Sequence, residues 1–286
     1  MNLGIKGKKA LITGGSRGLG LASAVSLAKE GVDLAICARA KSDLENAKKI
    51  LSKYHVKICT INFDLSDNKK LESLVQETEK QLGSIDILVN NVGGSLGTSS
   101  LIETNLEDFQ KVMELNTWSA IELTKSILPK MIHSKWGRII NIASIYGREY
   151  GGSAPYMAAK AALIAATKHT ALDIAKTGVT ANCIAPGSIK HAKGSWEKFV
   201  LNNSKKIGAV LLIGKDPKQA IQFSASEITP QNSTTPKIRQ MRNIQKITPF
   251  NLTRYQATSP TGTPYYAKRF MQYKFNNNEI GHIAFF

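Results

Sequence analysis

The first 190 residues alternate short, wholly apolar segments with longer amphipathic ones, and this order restricts the fold more than any other feature. Six apolar segments rich in β-branched residues predict strands at 8–13, 33–38, 57–63, 86–90, 137–144 and 179–185. Strands without a polar face indicate a sheet that is buried on both sides, and intervening helices make it parallel. The expected fold is α/β, a doubly wound parallel sheet of the Rossmann type.

The amphipathic segments predict the helices that connect these strands, at 20–31, 42–54, 66–83, 105–134 and 155–176. The longest helix opens at Asn105, with Asp108 three residues later, a capping pattern. Ligands of such sheets bind at the carboxyl ends of the strands. The residues directly after each strand are therefore the candidates for function.

The alternation stops after about residue 205, so we divide the chain into a nucleotide-binding catalytic domain, 1–205, and a divergent, loop-rich C-terminal segment, 206–286. Residues 201–286 hold 12 of the 38 Lys and Arg residues but only 3 of the 21 Asp and Glu residues. More than half of the net charge of +17 lies there. Such charge attracts phosphates, nucleic acid or anionic membranes without specifying one of them.

The composition favours a cytoplasmic protein without a membrane or a metal partner. The sequence has no apolar run of 18 residues, and its start lacks the features of a signal peptide. Three cysteines, Cys37, Cys59 and Cys183, lie in apolar segments and are expected to be reduced and structural. The histidines, among them His191, lack the spacing of metal ligands.

A glycine-rich turn, "TGGSRGLG" at 13–20, follows the first predicted strand and opens the first helix. Gly14, Gly18 and Gly20 permit a tight turn, and they let main-chain N–H groups and the helix N-terminus approach a pyrophosphate. The alternative is an ordinary glycine-rich turn, which the strand–turn–helix context disfavours.

The end of the second strand favours NADP(H) over NAD(H). An acidic residue there would bind the ribose 2′-hydroxyl of NAD, whereas this chain has Ala38 followed by Arg39, and Arg17 lies in the glycine-rich turn. Guanidinium groups offer paired donors to a 2′-phosphate. The alternative is that both arginines are merely solvated.

Several further motifs occur in order along the chain, and together they resemble the short-chain dehydrogenase/reductase family over about residues 5–200. The matching elements are the TGxxxGxG turn at 13–20, the NNxG element at 90–93, Asn116, Ser144, the YxxxK pair Tyr156 and Lys160, and the Pro186-Gly187 turn. The general layout is similar to that of the 3-oxoacyl-[acyl-carrier-protein] reductase group.

The resemblance implies four catalytic roles. Tyr156 acts as general acid or base, Lys160 lowers its pKa and binds the nicotinamide ribose, Ser144 orients the carbonyl, and Asn116 supports a proton relay. These roles make physical sense because a free phenol has a pKa of roughly 10, and a lysine one helical turn away favours the phenolate.

The resemblance also implies a set of residues that bind the cofactor, with Asp64 on the adenine amino group. The set is Gly14, Ser16, Arg17, Gly18, Leu19, Gly20, Arg39, Asp64, Leu65, Asn90, Gly93, Tyr156, Lys160, Pro186, Gly187 and Ile189. The chain departs from the family at His191, where many members have a cofactor-binding Thr. A short helix at 194–199 is expected as a substrate lid.

A larger departure follows residue 200, because the family's Pro-Glu helix and its last strand ending in Asp-Gly-Gly are missing. We therefore expect that the C-terminal segment derives from a shifted reading frame or a replaced terminus.

The predicted function is an NADP(H)-dependent oxidoreductase that interconverts a ketone and a secondary alcohol, with 3-oxoacyl thioesters as the best guess for substrate. The partners implied are this small molecule and further copies of the chain, as a dimer or tetramer. The alternatives are a non-catalytic dinucleotide-binding protein whose basic tail binds nucleic acid or a partner, and an inactive product of an altered C-terminus.

Overall fold

The computed structural model describes residues 3–67, 70–187, 189–190, 211–212, 256–258, 264–266, 270–275 and 279–284. The chain forms two compact units, Met1–Ala185 and Pro186–Phe286. Among the described residues, no helix combines the length and apolar character that crossing a membrane requires.

The first unit contains the predicted strands and helices in their predicted order. Its strands are β1 (Lys9–Thr13), β2 (Asp33–Ala38), β3 (Ile58–Asn62), β4 (Ile87–Asn90), β5 (Gly137–Ile142) and β6 (Val179–Ile184). Its helices are α1 (Gly18–Lys29), α2 (Lys41–Leu51), α3 (Leu71–Leu82), α4 (Leu106–Met113), α5 (Ser119–His133) and α6 (Ala154–Asp173).

The six strands form one parallel sheet in the order β3-β2-β1-β4-β5-β6. Neighbouring residues of one strand contribute to separate apolar clusters, as Leu11 and Ile12 do in β1. Both faces of the sheet are therefore buried, which confirms the doubly wound fold that the apolar strands predict.

The predicted long helix at 105–134 is present, but it is interrupted. A π-helical turn, Glu114–Trp118, separates α4 from α5. The expected capping at its start is confirmed, because the Asn105 side chain accepts a hydrogen bond of 2.8 Å from the Asp108 N–H. A π-turn inserts one extra residue and often marks a functional site.

Helix α3 begins at Leu71, so the prediction that it starts at residue 66 is wrong. The Asp64 carboxylate accepts hydrogen bonds from the Ser66 N–H (3.0 Å) and the Ser66 hydroxyl (2.8 Å). Short polar side chains that bond to the main chain two residues on favour a turn over a helix.

The second unit contains pairs of short strands. β7 (Ile189–Lys190) pairs in parallel with β8 (Leu211–Leu212), whereas β9 (Gln256–Thr258) with β10 (Pro264–Tyr266) and β11 (Phe270–Phe275) with β12 (Glu279–Ala284) are antiparallel. The sequence analysis did not predict these strands. The predicted boundary at residue 205, the predicted helix at 194–199 and His191 lie outside the described residues.

Candidate active site

The glycine-rich turn has the conformation that its glycines permit. Gly14 and Gly18 have φ angles of +63° and +54°, in the left-handed region that favours glycine. A Cβ atom on Gly20 would lie 2.2 Å from the main-chain oxygen of Gly14. The turn therefore packs against the first residues of α1 more tightly than any side chain would allow.

The start of α1 fits an anionic group. Arg17 occupies its N-cap position without a side-chain capping bond, and the first turn holds no acidic residue. The N-terminus of α1 carries a partial positive charge, and no carboxylate in this first turn offsets that charge. Of the other predicted residues here, Ser16 is half-buried, and Leu19 packs on the apolar cluster beneath.

Thr13 and Asn91 connect this turn to the end of β4, a link that the sequence analysis missed. The Asn91 N–H donates to Thr13 Oγ1 (2.9 Å), and the Asn91 amide Nδ2 donates to the Thr13 main-chain oxygen (2.9 Å). In the sequence, this link is indicated only by the second Asn of "NNVGG", which is Asn91. These bonds hold two neighbouring strand ends at a fixed separation.

Asn90 and Leu65, both predicted to contact the cofactor, bury their side chains. Asn90 Nδ2 donates to Asn141 Oδ1 (2.8 Å) and links β4 to β5, whereas Leu65 lies in the apolar core. Any contact that these residues make with a cofactor would come from their main chain. Their predicted roles stay predictions, as does that of Asp64, whose exposed carboxylate is bonded to Ser66.

Lys160 is 2% exposed, and its Nζ donates a hydrogen bond of 3.0 Å to the Ile142 main-chain oxygen. The ammonium lies 5.7 Å from the centroid of the Tyr156 ring. A Cβ atom on Gly93 would stand 2.7 Å from Lys160 Nζ and 2.6 Å from Asn116 Oδ1. The fold thus brings Lys160 and Asn116 together beside Gly93, with the Tyr156 ring next to the Lys160 ammonium.

Asn116 lies in the π-turn, and its amide makes three hydrogen bonds. Its Oδ1 accepts from the Gly94 N–H (3.0 Å), while Nδ2 donates to the main-chain oxygens of Gly94 (2.8 Å) and Val112 (2.8 Å). From its position in the π-turn, the Asn116 side chain binds Gly94 in the loop after β4. Asn116 therefore fixes the main chain beside Lys160.

Ser144 is buried and Tyr156 is half-buried, and the two side chains lie beside each other. Ser144 Oγ accepts a hydrogen bond of 3.2 Å from the Tyr146 N–H, which anchors the short 3₁₀ turn Ile145–Gly147. The Ser144 hydroxyl also acts on the Tyr156 phenol, whose pKa it lowers by favouring the phenolate. A serine held in this way can direct its hydroxyl at an oxygen shared with Tyr156.

Burial governs the pKa values of both titrating groups. It raises the pKa of the Tyr156 phenol above its ordinary value, against the opposing effect of the Ser144 hydrogen bond, and it lowers the pKa of Lys160 to about 8. Removing a charged form from water explains both directions. In this structure the Tyr156 pKa is raised, and Lys160 is not among the causes of its shift, so the predicted lowering of that pKa by Lys160 stays a prediction.

The remaining predicted residues differ in how far the structure describes their surroundings. Arg17 and Arg39 are exposed at the carboxyl ends of β1 and β2. Pro186, Gly187 and Ile189 belong to the second unit, and their contacts with a cofactor stay predictions. In the described part of the chain, no three His, Cys, Asp or Glu side chains are grouped as metal ligands would be.

Comparison with known proteins identifies relatives. The profile of the short chain dehydrogenase family matches residues 8–198. An NADP-dependent 3-hydroxy acid dehydrogenase of Schizosaccharomyces pombe is 33% identical over 189 residues, 65% of this chain and 73% of the relative. The 3-oxoacyl-[acyl-carrier-protein] reductase FabG of Rickettsia conorii is 37% identical over 188 residues, 65% of this chain and 74% of the relative.

Solved structures have the same fold. L-sorbose reductase from Gluconobacter frateurii, complexed with NADPH and L-sorbose, superposes with a TM-score of 0.64 at 31% identity, covering 71% of this chain and 82% of that one. An NAD⁺-bound xylitol dehydrogenase gives a TM-score of 0.64 at 30% identity, covering 72% and 78%.

Proposed function

We propose that this chain, which belongs to the short-chain dehydrogenase family of oxidoreductases, interconverts ketones and secondary alcohols with NADP(H). The observation that carries the proposal is the cluster of Ser144, Tyr156, Lys160 and Asn116 at the carboxyl ends of β4 and β5. Ligands of doubly wound sheets bind at this edge.

The proposed chemistry is a proton transfer beside a hydride transfer. When bound, the nicotinamide supplies or accepts the hydride at the substrate carbon. In reduction, Tyr156 gives its phenolic proton to the substrate oxygen, and in oxidation it takes that proton back. Ser144 donates a hydrogen bond to the same oxygen and thereby fixes the substrate against Tyr156.

Lys160 would bind the nicotinamide ribose and support the charge that forms on Tyr156. Its Nζ uses one of three donors on Ile142, so two remain for other acceptors. A lysine whose pKa is about 8 can also pass a proton near neutral pH. Asn116, which holds Gly94 beside this group, would support the proton relay.

The preference for NADP(H) is supported by Arg17 and Arg39, both exposed next to the strand ends that would receive the adenine ribose. The fission-yeast relative and the sorbose reductase structure both carry NADP(H) in their names, whereas the xylitol dehydrogenase structure holds NAD⁺. The two arginines, with no carboxylate at the end of β2, decide our choice.

The proposed substrate class is a 3-oxoacyl thioester. The FabG relative supports it, and so does the loop after β4, which carries the exposed apolar side chains of Leu101 and Ile102. The Ser99 main-chain oxygen accepts a hydrogen bond of 2.9 Å from the Ala154 N–H, which attaches this loop to the start of the helix that carries Tyr156. An acyl chain could cover such side chains.

We further propose that the protein is a homo-oligomer, a dimer or tetramer. Trp118 in the π-turn and Leu172 in α6 expose large apolar surfaces that a second copy would cover. Sedimentation or size-exclusion measurements test this separately from activity.

The test of the proposed function is turnover. The purified protein should oxidise NADPH in the presence of a 3-oxoacyl thioester, and Tyr156→Phe should lower kcat by about 10²- to 10⁴-fold. Tyr150→Phe is the matched control, because Tyr150 is 93% exposed and should keep full activity. Equal rates for the wild type and Tyr156→Phe would remove Tyr156 from the mechanism.

A further inference from the structure

We propose that Asn62 is a positioning residue for NADP(H) selection, acting through the main chain of Arg39. This inference rests on the proposed use of NADP(H). Asn62 is the last residue of β3, where it pairs with Ala38, the last residue of β2. The sequence analysis assigned no role to Asn62.

The Asn62 amide holds both peptide groups that flank the Arg39 Cα atom. Its Nδ2 donates to the main-chain oxygen of Ala38 (3.2 Å) and to that of Arg39 (2.6 Å). The first oxygen belongs to the peptide before Arg39 and the second to the peptide after it. Two fixed peptide planes restrict the φ and ψ angles between them, and with those angles the direction of the Arg39 Cα–Cβ bond.

The sheet also holds the first of these peptides, because the Ala38 oxygen accepts a hydrogen bond of 3.0 Å from the Phe63 N–H. The particular contribution of Asn62 is therefore its bond to the Arg39 oxygen, which fixes the second peptide. Only Arg39 and Ala40 connect β2 to α2, and α2 begins without a side-chain cap. An arginine side chain loses much rotamer freedom when it binds a phosphate. A main chain that already fixes the direction of the Arg39 Cα–Cβ bond reduces the ordering that binding requires.

The chemistry of the residue at position 62 is specific. Both contacts need a donor, which an amide provides and a carboxylate does not. Asp at this position would lose both bonds and place a negative charge beside the expected 2′-phosphate. Asn62 is exposed, so its replacement removes these bonds without opening a cavity in the core.

The experiment measures Kd for NADPH and for NADH by fluorescence titration, without substrate. Asn62→Ala should raise the Kd for NADPH about fivefold, which corresponds to the free energy that one hydrogen bond typically contributes. The Kd for NADH should change by less than about twofold. Asn62→Asp should raise the NADPH value further. Asn182→Ala is the control, because Asn182 is another exposed strand residue whose amide makes a local bond, to Thr180.

A double-mutant cycle with Arg39→Ala identifies the route of the effect. In the Arg39→Ala background, Asn62→Ala should change the NADPH Kd by less than about twofold, because the group it positions is gone. If Asn62→Ala raises the NADPH Kd by the same factor in the Arg39→Ala background as in the wild type, the inference is overturned. So would an Asn62→Ala variant that keeps the wild-type ratio of the two Kd values.

A wrong assignment of NADP(H) would give a different pattern of Kd values. If the wild type binds NADPH no more tightly than NADH, the NADP(H) assignment is wrong, and the role of Asn62 falls with it. If the wild type prefers NADPH but Asn62→Ala weakens both nucleotides equally, the assignment survives and only the role of Asn62 is overturned.

Discussion

Thr117 and Ala159 are joined by a hydrogen bond of 2.7 Å from the threonine hydroxyl to the main-chain oxygen of the alanine. Thr117 follows Asn116 in the π-turn, and Ala159 precedes Lys160 in α6. Both residues of the bond are buried. It therefore ties the turn that holds the loop after β4 to the helix that presents Lys160 and Tyr156.

Thr117→Val should lower kcat about tenfold while the protein stays folded. Valine has nearly the same shape, so the packing is kept and the bond between the π-turn and α6 is lost. A small displacement of Lys160 relative to Tyr156 should also shift the pH profile of kcat. Thr117→Ser, which restores the hydroxyl, should recover most of the rate and the original profile.

Thr78→Val is the control for this prediction. Thr78 is 0% exposed and also donates to a main-chain oxygen, that of Leu74 at 2.8 Å, but it lies in α3. It should destabilise the protein by about 1 kcal/mol, as Thr117→Val does, and leave the pH profile of kcat unchanged. Equal kinetic losses in the two variants would mean that stability alone explains the effect of Thr117.

Gly93→Ala should abolish most activity. The new methyl group would stand 2.6 Å from Asn116 Oδ1 and 2.7 Å from Lys160 Nζ, closer than real contacts allow, so both groups must move. We expect kcat/KM to fall at least about 100-fold, measured with NADPH and the substrate of the wild type.

Gly94→Ala is the neighbouring control. A Cβ atom on Gly94 would meet no atom within 4 Å, and its main-chain bonds to Asn116 do not need a bare Cα. It should lose far less activity than Gly93→Ala. Similar losses at both positions would show that the loop, rather than the contact of Gly93 with Lys160, is sensitive.

The structural features that depend on residues close together in the chain could be predicted from the sequence. Apolar strands, a glycine-rich turn and a Tyr–Lys pair one helical turn apart each depend on residues near in sequence. Their order then places Tyr156 and Lys160 at the carboxyl edge of the sheet. The long helix at 105–134 was predicted for the same reason, yet its π-turn was not, because the bond of Asn116 to Gly94 joins residues 22 positions apart.

The links between strand ends could not be predicted, because they join residues distant in sequence. Asn91 and Thr13 are 78 positions apart, and Asn62 and Arg39 are 23 apart. An asparagine at a strand end is common, and only the register of the sheet decides which main-chain oxygen it meets. The bond between Asn90 and Asn141 belongs to the same class, because it joins two adjacent strands whose residues are 51 positions apart.

Trp136→Ala should lower stability without changing catalysis. The indole ring lies between the Lys8 ammonium (4.1 Å from the ring centroid) and the Arg138 guanidinium (4.5 Å). These residues border the amino ends of β1 and β5, opposite the proposed site. Urea unfolding should show a loss of about 2 kcal/mol from packing and cation–π contacts, while the KM values stay constant. A changed KM for NADPH would contradict the separation of the two ends.

Lys160 should make stability depend on pH with a definite sign. Its pKa is about 8 in the folded protein, against the ordinary 10.5 of the unfolded chain. Between these values the unfolded chain binds more protons, so stability rises with pH there, and the full penalty applies below pH 8. Without nucleotide, the excess of the free energy of unfolding of Lys160→Met over that of the wild type should therefore be larger at pH 7 than above pH 10.5, by about 3 kcal/mol. The loss of the Lys160 hydrogen bond to Ile142 lowers the stability of the variant but does not supply this pH dependence. Chemical unfolding of both proteins across this range measures the difference, in which all other titrating groups cancel. An excess that stays constant with pH would show that Lys160 titrates normally in the folded state.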